Sequence, residues 1–187
     1  MYFDRQEGNT IISYHAYFSP PTTSGPLFVT HHGAGSSGLS FACFATEIRK
    51  AISTAGVLSL DARGHGSTTI GQPEPGAEHQ TEALDLSLET LSTDLAYVVQ
   101  ATQTRMSWSA LPDIVLIGHS LGGAVVVDLA DRALLGSALL GYAVLDVVEG
   151  SAMEALAHME TYISSRPSSF PSLASAIEWQ YVRSCLL

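Results

Sequence analysis

The sequence predicts an α/β fold built on a doubly wound, mostly parallel sheet flanked by helices. Two observations carry this. Short, continuous apolar runs recur along the chain, as strands require when both of their faces are covered. They alternate with segments of helical spacing, the order that gives a parallel sheet. The chain has 187 residues, 46% of them hydrophobic, and a mean hydropathy of +0.21. That is enough apolar material for one domain with a sizeable core.

The elements follow in order. Alternation through Thr10 to Phe18 predicts an early strand or hairpin, and Pro20-Pro21-Thr22-Thr23-Ser24-Gly25 a turn. Leu27 to Thr30 is the first buried-strand candidate. Ser40 to Thr54 has helical spacing, with Phe41, Phe44, Ala45, Ile48 and Ile52 recurring. Val57 to Leu60 is a second strand, ending at Asp61. Residues 62–86 show no period and read as a long surface loop. Leu88 to Thr102 is a helix with Leu91, Leu95, Val98 and Val99 on one face. Ile114 to Ile117 is a third strand, followed at once by a helix over Leu121 to Leu134. Tyr142 to Leu145 is a fourth, ending at Asp146, and helices are expected over Ser151 to Ser164 and Ser172 to Arg183. In such sheets the chemistry gathers at the carboxyl ends of the strands.

Composition excludes several classes. Eighteen acidic residues against eight basic ones give a formal charge of −10, which argues against nucleic acid binding. The acidic residues are scattered and read as a solvated surface. Two cysteines, Cys43 and Cys185, form no dense framework and point to a reducing compartment. The N-terminus lacks an apolar signal core, and no run reaches the roughly 18 apolar residues of a membrane span. The expectation is a soluble, intracellular protein without a membrane partner. No metal site and no phosphate loop are visible, so no cofactor is expected.

Gly118-His119-Ser120-Leu121-Gly122 matches G-x-S-x-G. The pentapeptide alone is common, but here it lies between a strand and a helix, the setting of a nucleophile elbow in an α/β hydrolase. The serine of an elbow sits on a strained turn, where side chains two residues before and after would collide. The following helix also points its amino end at a developing oxyanion. A structural Gly-Ser turn is the alternative. Asp146 ends the next strand, 26 residues after Ser120, and can serve as the acid that holds a histidine tautomer or simply as a loop or helix-capping aspartate. His31-His32-Gly33-Ala34-Gly35 resembles an oxyanion loop. This assigns the two oxyanion donors to the Ala34 and Leu121 N–H groups, a plain strand-to-helix turn being the alternative. Asp61-Ala62-Arg63-Gly64-His65-Gly66 reads as a structural floor, with His65 a hydrogen-bonded loop histidine. Of seven histidines only His158 follows Asp146, 12 residues on and inside an expected helix. The base is therefore expected to be absent because the chain ends too soon.

Together these residues resemble a specific family, the protein phosphatase methylesterases. The discriminating stretch is Leu145-Asp146-Val147-Val148-Glu149-Gly150-Ser151-Ala152-Met153, continuing through Arg166-Pro167, Phe170 and Ala176-Ile177-Glu178-Trp179. Gly33-Ala34-Gly35-Ser36 through Leu39-Ser40-Phe41 resembles the family as well, with Ala34 where a glycine is common. The resemblance runs from about Tyr2 to Arg183, and the pattern is lost near the end.

It implies an α/β-hydrolase fold and a serine carboxylesterase that removes the methyl ester from the C-terminal leucine of the protein phosphatase 2A catalytic subunit. Ser120 would be the nucleophile and Asp146 the triad acid, in the cytoplasm and/or nucleus. On this reading residues 1–187 form a single incomplete α/β-hydrolase domain that lacks its last strands and the family's histidine, and the chain alone has little activity. A generic small-molecule carboxylesterase or lipase, and a catalytically dead phosphatase-binding module, are the competing readings.

Overall fold

A computed structural model of the chain describes residues 1–22, 24–71, 84–146, 164, 167 and 169–184. The chain divides into two compact units, Met1–Val147 and Val148–Leu187. Among the described residues the first holds seven strands: β1 (Tyr2–Glu7), β2 (Thr10–Ser19), β3 (Leu27–His31), β4 (Gly56–Leu60), β5 (Thr69–Gly71), β6 (Ile114–His119) and β7 (Leu139–Leu145). Its helices are α1 (Ala42–Ala51), α2 (Leu88–Arg105) and α3 (Leu121–Asp131). In the second unit the described helix is α4 (Leu173–Ser184).

The sheet order is β1-β2-β4-β3-β6-β7, with β5 paired to β2. The four strands β4, β3, β6 and β7 are parallel, and β2 joins β4 antiparallel. This is the expected mostly parallel sheet, extended at one edge by the β1–β2 hairpin. In β3 and β4 every residue is buried, which explains why those strands read as continuous apolar runs rather than alternating ones. One core packs Leu27, Val29, Leu58 and Leu116 against Leu91, Leu95, Val98 and Val99 of α2 and Val125, Val126 and Leu129 of α3. These are the α2 positions that the helical spacing marks. A smaller cluster on the α1 side joins Phe28, Val57 and Ile117 to Phe41, with Phe44, Ala45 and Ile48 partly buried.

Several expectations shift. The early strand expected over Thr10 to Phe18 is β2, but a further strand that the alternation did not mark, β1, precedes it and pairs with it from Tyr2↔His15 to Glu7↔Thr10. The loop read over residues 62–86 contains β5, whose three residues are too few to show a period. The helix expected from Ser40 opens instead as a 3-10 turn over Gly38–Phe41 and ends at Ala51. α3 stops at Asp131, because Ala133 turns into the left-handed region at φ 51°. The expected helix over residues 151–164, with His158, lies outside the described residues apart from Ser164.

Candidate active site

Ser120 stands between the end of β6 and the start of α3 at φ 52°, ψ −119°, a conformation that costs a non-glycine residue about 1–3 kcal/mol. Two glycines permit it. A Cβ on Gly118 would lie 2.1 Å from the Gly122 carbonyl oxygen, and one on Gly122 would lie 2.1 Å from the His31 carbonyl oxygen. Both approaches are to backbone, so no rotamer relieves them. The turn is held by the Ser120 N–H donating to the Leu145 carbonyl at 2.9 Å and the Gly123 N–H donating to the Ser120 carbonyl at 2.8 Å. The serine side chain makes no capping bond to α3, which leaves the hydroxyl at the amino end of the helix where the macrodipole favours negative charge.

The loop after β3 runs past this elbow. A Cβ on Gly33 would lie 3.1 Å from Ser120 Cβ and 2.9 Å from His119 Nδ1. A side chain at this position would crowd Ser120 and displace the His119 ring, so glycine lets the loop approach the serine this closely. Ala34 follows, exposed, and Leu121 is the first residue of α3. The chain thus brings Ser120, Leu121 and the Gly33-Ala34 segment into one neighbourhood.

Asp146 follows β7 with φ 55°. Its carboxylate Oδ2 lies 3.6 Å from His119 Nε2, and its side chain is 79% exposed. Pairing of β7 with β6 through His119↔Leu145 is what carries Asp146 to the elbow. Among the described residues His119 is the histidine within ion-pairing distance of Asp146, and no hydrogen bond joins it to the Ser120 hydroxyl. In the sequence His119 is marked only by its place beside the serine, which by itself points to no role.

The loop after β4 braces the site from below. Asp61 Oδ1 accepts the Gly38 N–H at 2.7 Å, and Oδ2 accepts the Ser67 N–H at 2.9 Å and lies 2.8 Å from His15 Nδ1. Burial works against the Asp61 carboxylate, but the Ser67 and Gly38 amides and His15 outweigh it and hold its pKa below the usual range. The Gly35 N–H donates to His65 Nε2 at 3.0 Å, while His65 Nδ1 lies 3.0 Å from the Arg63 carbonyl. A carbonyl can only accept, so His65 carries its proton on Nδ1. Arg63 is in turn clamped: its Nε and Nη2 each donate to Asp94 of α2 at 2.8 Å, and Nη2 also reaches Glu7 and the Tyr14 hydroxyl. The expected structural role of Asp61 to Gly66 is what this network describes.

Two further histidines are buried beneath the loop. His31 is pushed down to about 3 by burial, assisted by neighbouring His32. Its Nδ1 donates to the His32 carbonyl at 3.0 Å, and its Nε2 has no hydrogen-bond partner among the described residues. Burial likewise lowers the pKa of His32. Both rings are neutral at pH 7.

An open cavity of about 470 Å³ lies between α1 and the β2 and β4 strands, lined by Tyr17, Phe41, Ala45, Arg49 and Val57 among others and not by Ser120 or Asp146. Among the described residues no group of three or more His, Cys, Asp or Glu could hold a metal ion, and no helix is long and apolar enough to cross a membrane.

A strand, a strained serine and a helix, with a glycine loop from a neighbouring parallel strand beside them, are the strand–turn–helix arrangement of an α/β-hydrolase elbow. The chain belongs to the alpha/beta hydrolase family, whose model matches residues 27–184. Among curated proteins it is similar to protein phosphatase methylesterase 1 of Emericella nidulans, 60% identical over 181 residues, which cover 96% of this chain and 44% of that protein. It is also similar to protein phosphatase methylesterase 1 of Homo sapiens, 41% identical over 157 residues, covering 84% of this chain and 36% of that protein. The chain thus spans less than half the length of these relatives. Among solved structures, a marine microorganism esterase matches with TM-score 0.60 at 21% identity, covering 91% of this chain and 59% of that one. A thioesterase domain from the curacin biosynthetic pathway matches with TM-score 0.61 at 22% identity, covering 100% of this chain and 63% of that one. These two likenesses concern the fold.

Proposed function

We propose that this chain carries the nucleophile half of a serine methylesterase, and that the whole protein removes the methyl ester from the C-terminal leucine of the protein phosphatase 2A catalytic subunit. The observation that carries the reading is the strained Ser120 elbow with Gly33 packed on it, in a chain 60% identical to a protein phosphatase methylesterase 1.

In this mechanism Ser120 Oγ attacks the leucine ester carbonyl while a histidine base takes its proton. The Ala34 and Leu121 N–H groups hold the oxyanion. The tetrahedral intermediate collapses, the histidine returns the proton to the leaving oxygen, and methanol departs. Water, deprotonated by the same histidine, then attacks the acyl-serine and releases the free leucine carboxylate and the Ser120 hydroxyl. Asp146 is the acid that orients the histidine. We place that histidine in the part of the relatives' length that these 187 residues do not span, and the reaction in the cytoplasm and/or nucleus.

The test compares three esters: the phosphatase C-terminal leucine methyl ester, a short leucine methyl ester peptide and a small acyl ester. The proteins are this chain and the same chain extended through the downstream coding sequence of its gene. The reading expects the extended protein to demethylate the phosphatase. Turnover of small acyl esters alone would replace it with a generic carboxylesterase. Retention of the phosphatase by wild type and Ser120→Ala alike, without turnover of any ester, would replace it with a binding module.

A further inference from the structure

The oxyanion donor assigned to Ala34 is one end of a peptide whose other end is the Gly33 carbonyl. A trans peptide is planar, so its C=O and N–H point in opposite directions, and whatever fixes the carbonyl fixes the N–H. Gly33 does not hold this plane by itself, because it has no Cβ to restrict its backbone. The carbonyl is fixed from outside. His32 Nδ1 lies 2.8 Å from the Gly33 oxygen, and the Ser36 N–H donates to the same oxygen at 3.2 Å. Nδ1 must therefore carry the ring proton, since a carbonyl only accepts.

The other ring nitrogen makes that tautomer obligatory. His32 Nε2 accepts the N–H of Ala62 at 3.0 Å and cannot hold a proton of its own while it does so. Burial of the ring, which is 1% exposed, opposes a second proton. Ala62 itself lies in the loop that Arg63 ties to Asp94 through paired bonds at 2.8 Å. The next peptide along is held from the same loop, by His65 Nε2 accepting the Gly35 N–H.

We propose that His32 is a positioning residue that aims the Ala34 N–H, by donating from Nδ1 to the carbonyl at the opposite end of the same peptide. Resting on the serine esterase reading above, this adds to it a residue that touches neither substrate nor Ser120 yet sets the geometry of the oxyanion donor. The α2 helix enters the same chain of contacts through Asp94, Arg63 and Ala62.

Two substitutions separate the nitrogens. Asparagine keeps a donor near the position of Nδ1 and loses the acceptor; glutamine keeps an acceptor near Nε2 and loses the donor. The extended protein is assayed as wild type, His32→Asn and His32→Gln for kcat and KM on the leucine methyl ester and on a small acyl ester, with a thermal midpoint for each. His32→Gln is expected to lose about 10²-fold in kcat, as removal of an oxyanion donor does, with KM within about threefold and on both esters alike. His32→Asn is expected to keep kcat within about tenfold of wild type. Equal losses in the two variants, or a loss carried by KM, would overturn the proposal. Because either variant can fail to fold, the imidazole ¹⁵N shifts of His32 in the unsubstituted protein provide a second readout. A protonated Nδ1 and bare Nε2 at pH 7 support the proposal, and an Nε2–H ring contradicts it. If the wild-type protein hydrolyses no ester, the esterase reading falls on its own. The ring shifts then decide alone whether His32 holds this peptide.

Discussion

Ser120 is held at φ 52° by its surroundings, not by preference, and this sets a trade between stability and chemistry. Replacing it by glycine removes strain of about 1–3 kcal/mol and adds unfolded-state freedom of about 0.4–1 kcal/mol. Ser120→Gly is therefore expected to stabilise the protein by about 1 kcal/mol in denaturant titration while abolishing hydrolysis; a destabilised variant would contradict the strain. Gly118→Ala moves the other way. Its Cβ would meet the Gly122 carbonyl oxygen at 2.1 Å, and the overpacking cost is about 3 kcal/mol, a fall of roughly 6–12 °C in thermal midpoint. An unchanged midpoint would mean that the elbow is looser than described. These glycines and the serine were legible in the sequence, because the pentapeptide stood between a strand and a helix. The structural role of Asp61 and His65 was legible too, but their particular partners were not, and His32 was not legible as a brace at all. Their partners, Gly33, Ala62, Gly35 and Gly38, are backbone groups reached through the fold, and a backbone partner leaves no mark in residue type.

At the scale of elements, the parallel strands and the α2 helix were readable because burial writes itself into apolar runs and helical spacing. β1 and β5 were not. β1 alternates between buried Phe3 and more exposed neighbours in a polar stretch, and β5 is a three-residue strand whose residues are all exposed. The tie between the β4 loop and α2 was also invisible, since Arg63 and Asp94 lie 31 residues apart. Their side chains are 7% and 2% exposed, with Nη2 to Oδ1 at 2.8 Å. Removing one partner of such a pair costs about 3–5 kcal/mol. Asp94→Asn is expected to destabilise the protein by that amount, read by denaturant titration. It should also lower kcat, since the loop that carries Ala62 loosens under His32. Loss of stability below about 1 kcal/mol would show that Glu7 and Tyr14 hold Arg63 without it.

At the scale of the molecule, the buried neutral histidines give the fold an acid limit. His31 is pushed from 6.5 to about 3 in the folded protein, and His32 is lowered too. Between those values the unfolded chain binds protons that the folded one does not. Stability is then full above pH 6.5 and falls as the pH drops toward 3, by up to about 1.4 kcal/mol per pH unit for His31, with His32 acting in the same direction. The thermal midpoint should decline from pH 7 to pH 5, above most carboxylate titration, and His31→Gln should flatten the decline. A midpoint independent of pH over that range would contradict burial of neutral rings.

In the proposed reaction the serine elbow, the braced glycine loop and Asp146 beyond β7 act together, with Ser120 at the centre. Demethylation of the phosphatase C-terminal leucine ester, measured as kcat for the extended protein with and without Ser120→Ala, tests it most directly. The account predicts turnover by the parent and a loss of at least about 10³-fold on substitution. Equal rates for the two proteins would remove Ser120 from the mechanism and with it the function proposed for this chain.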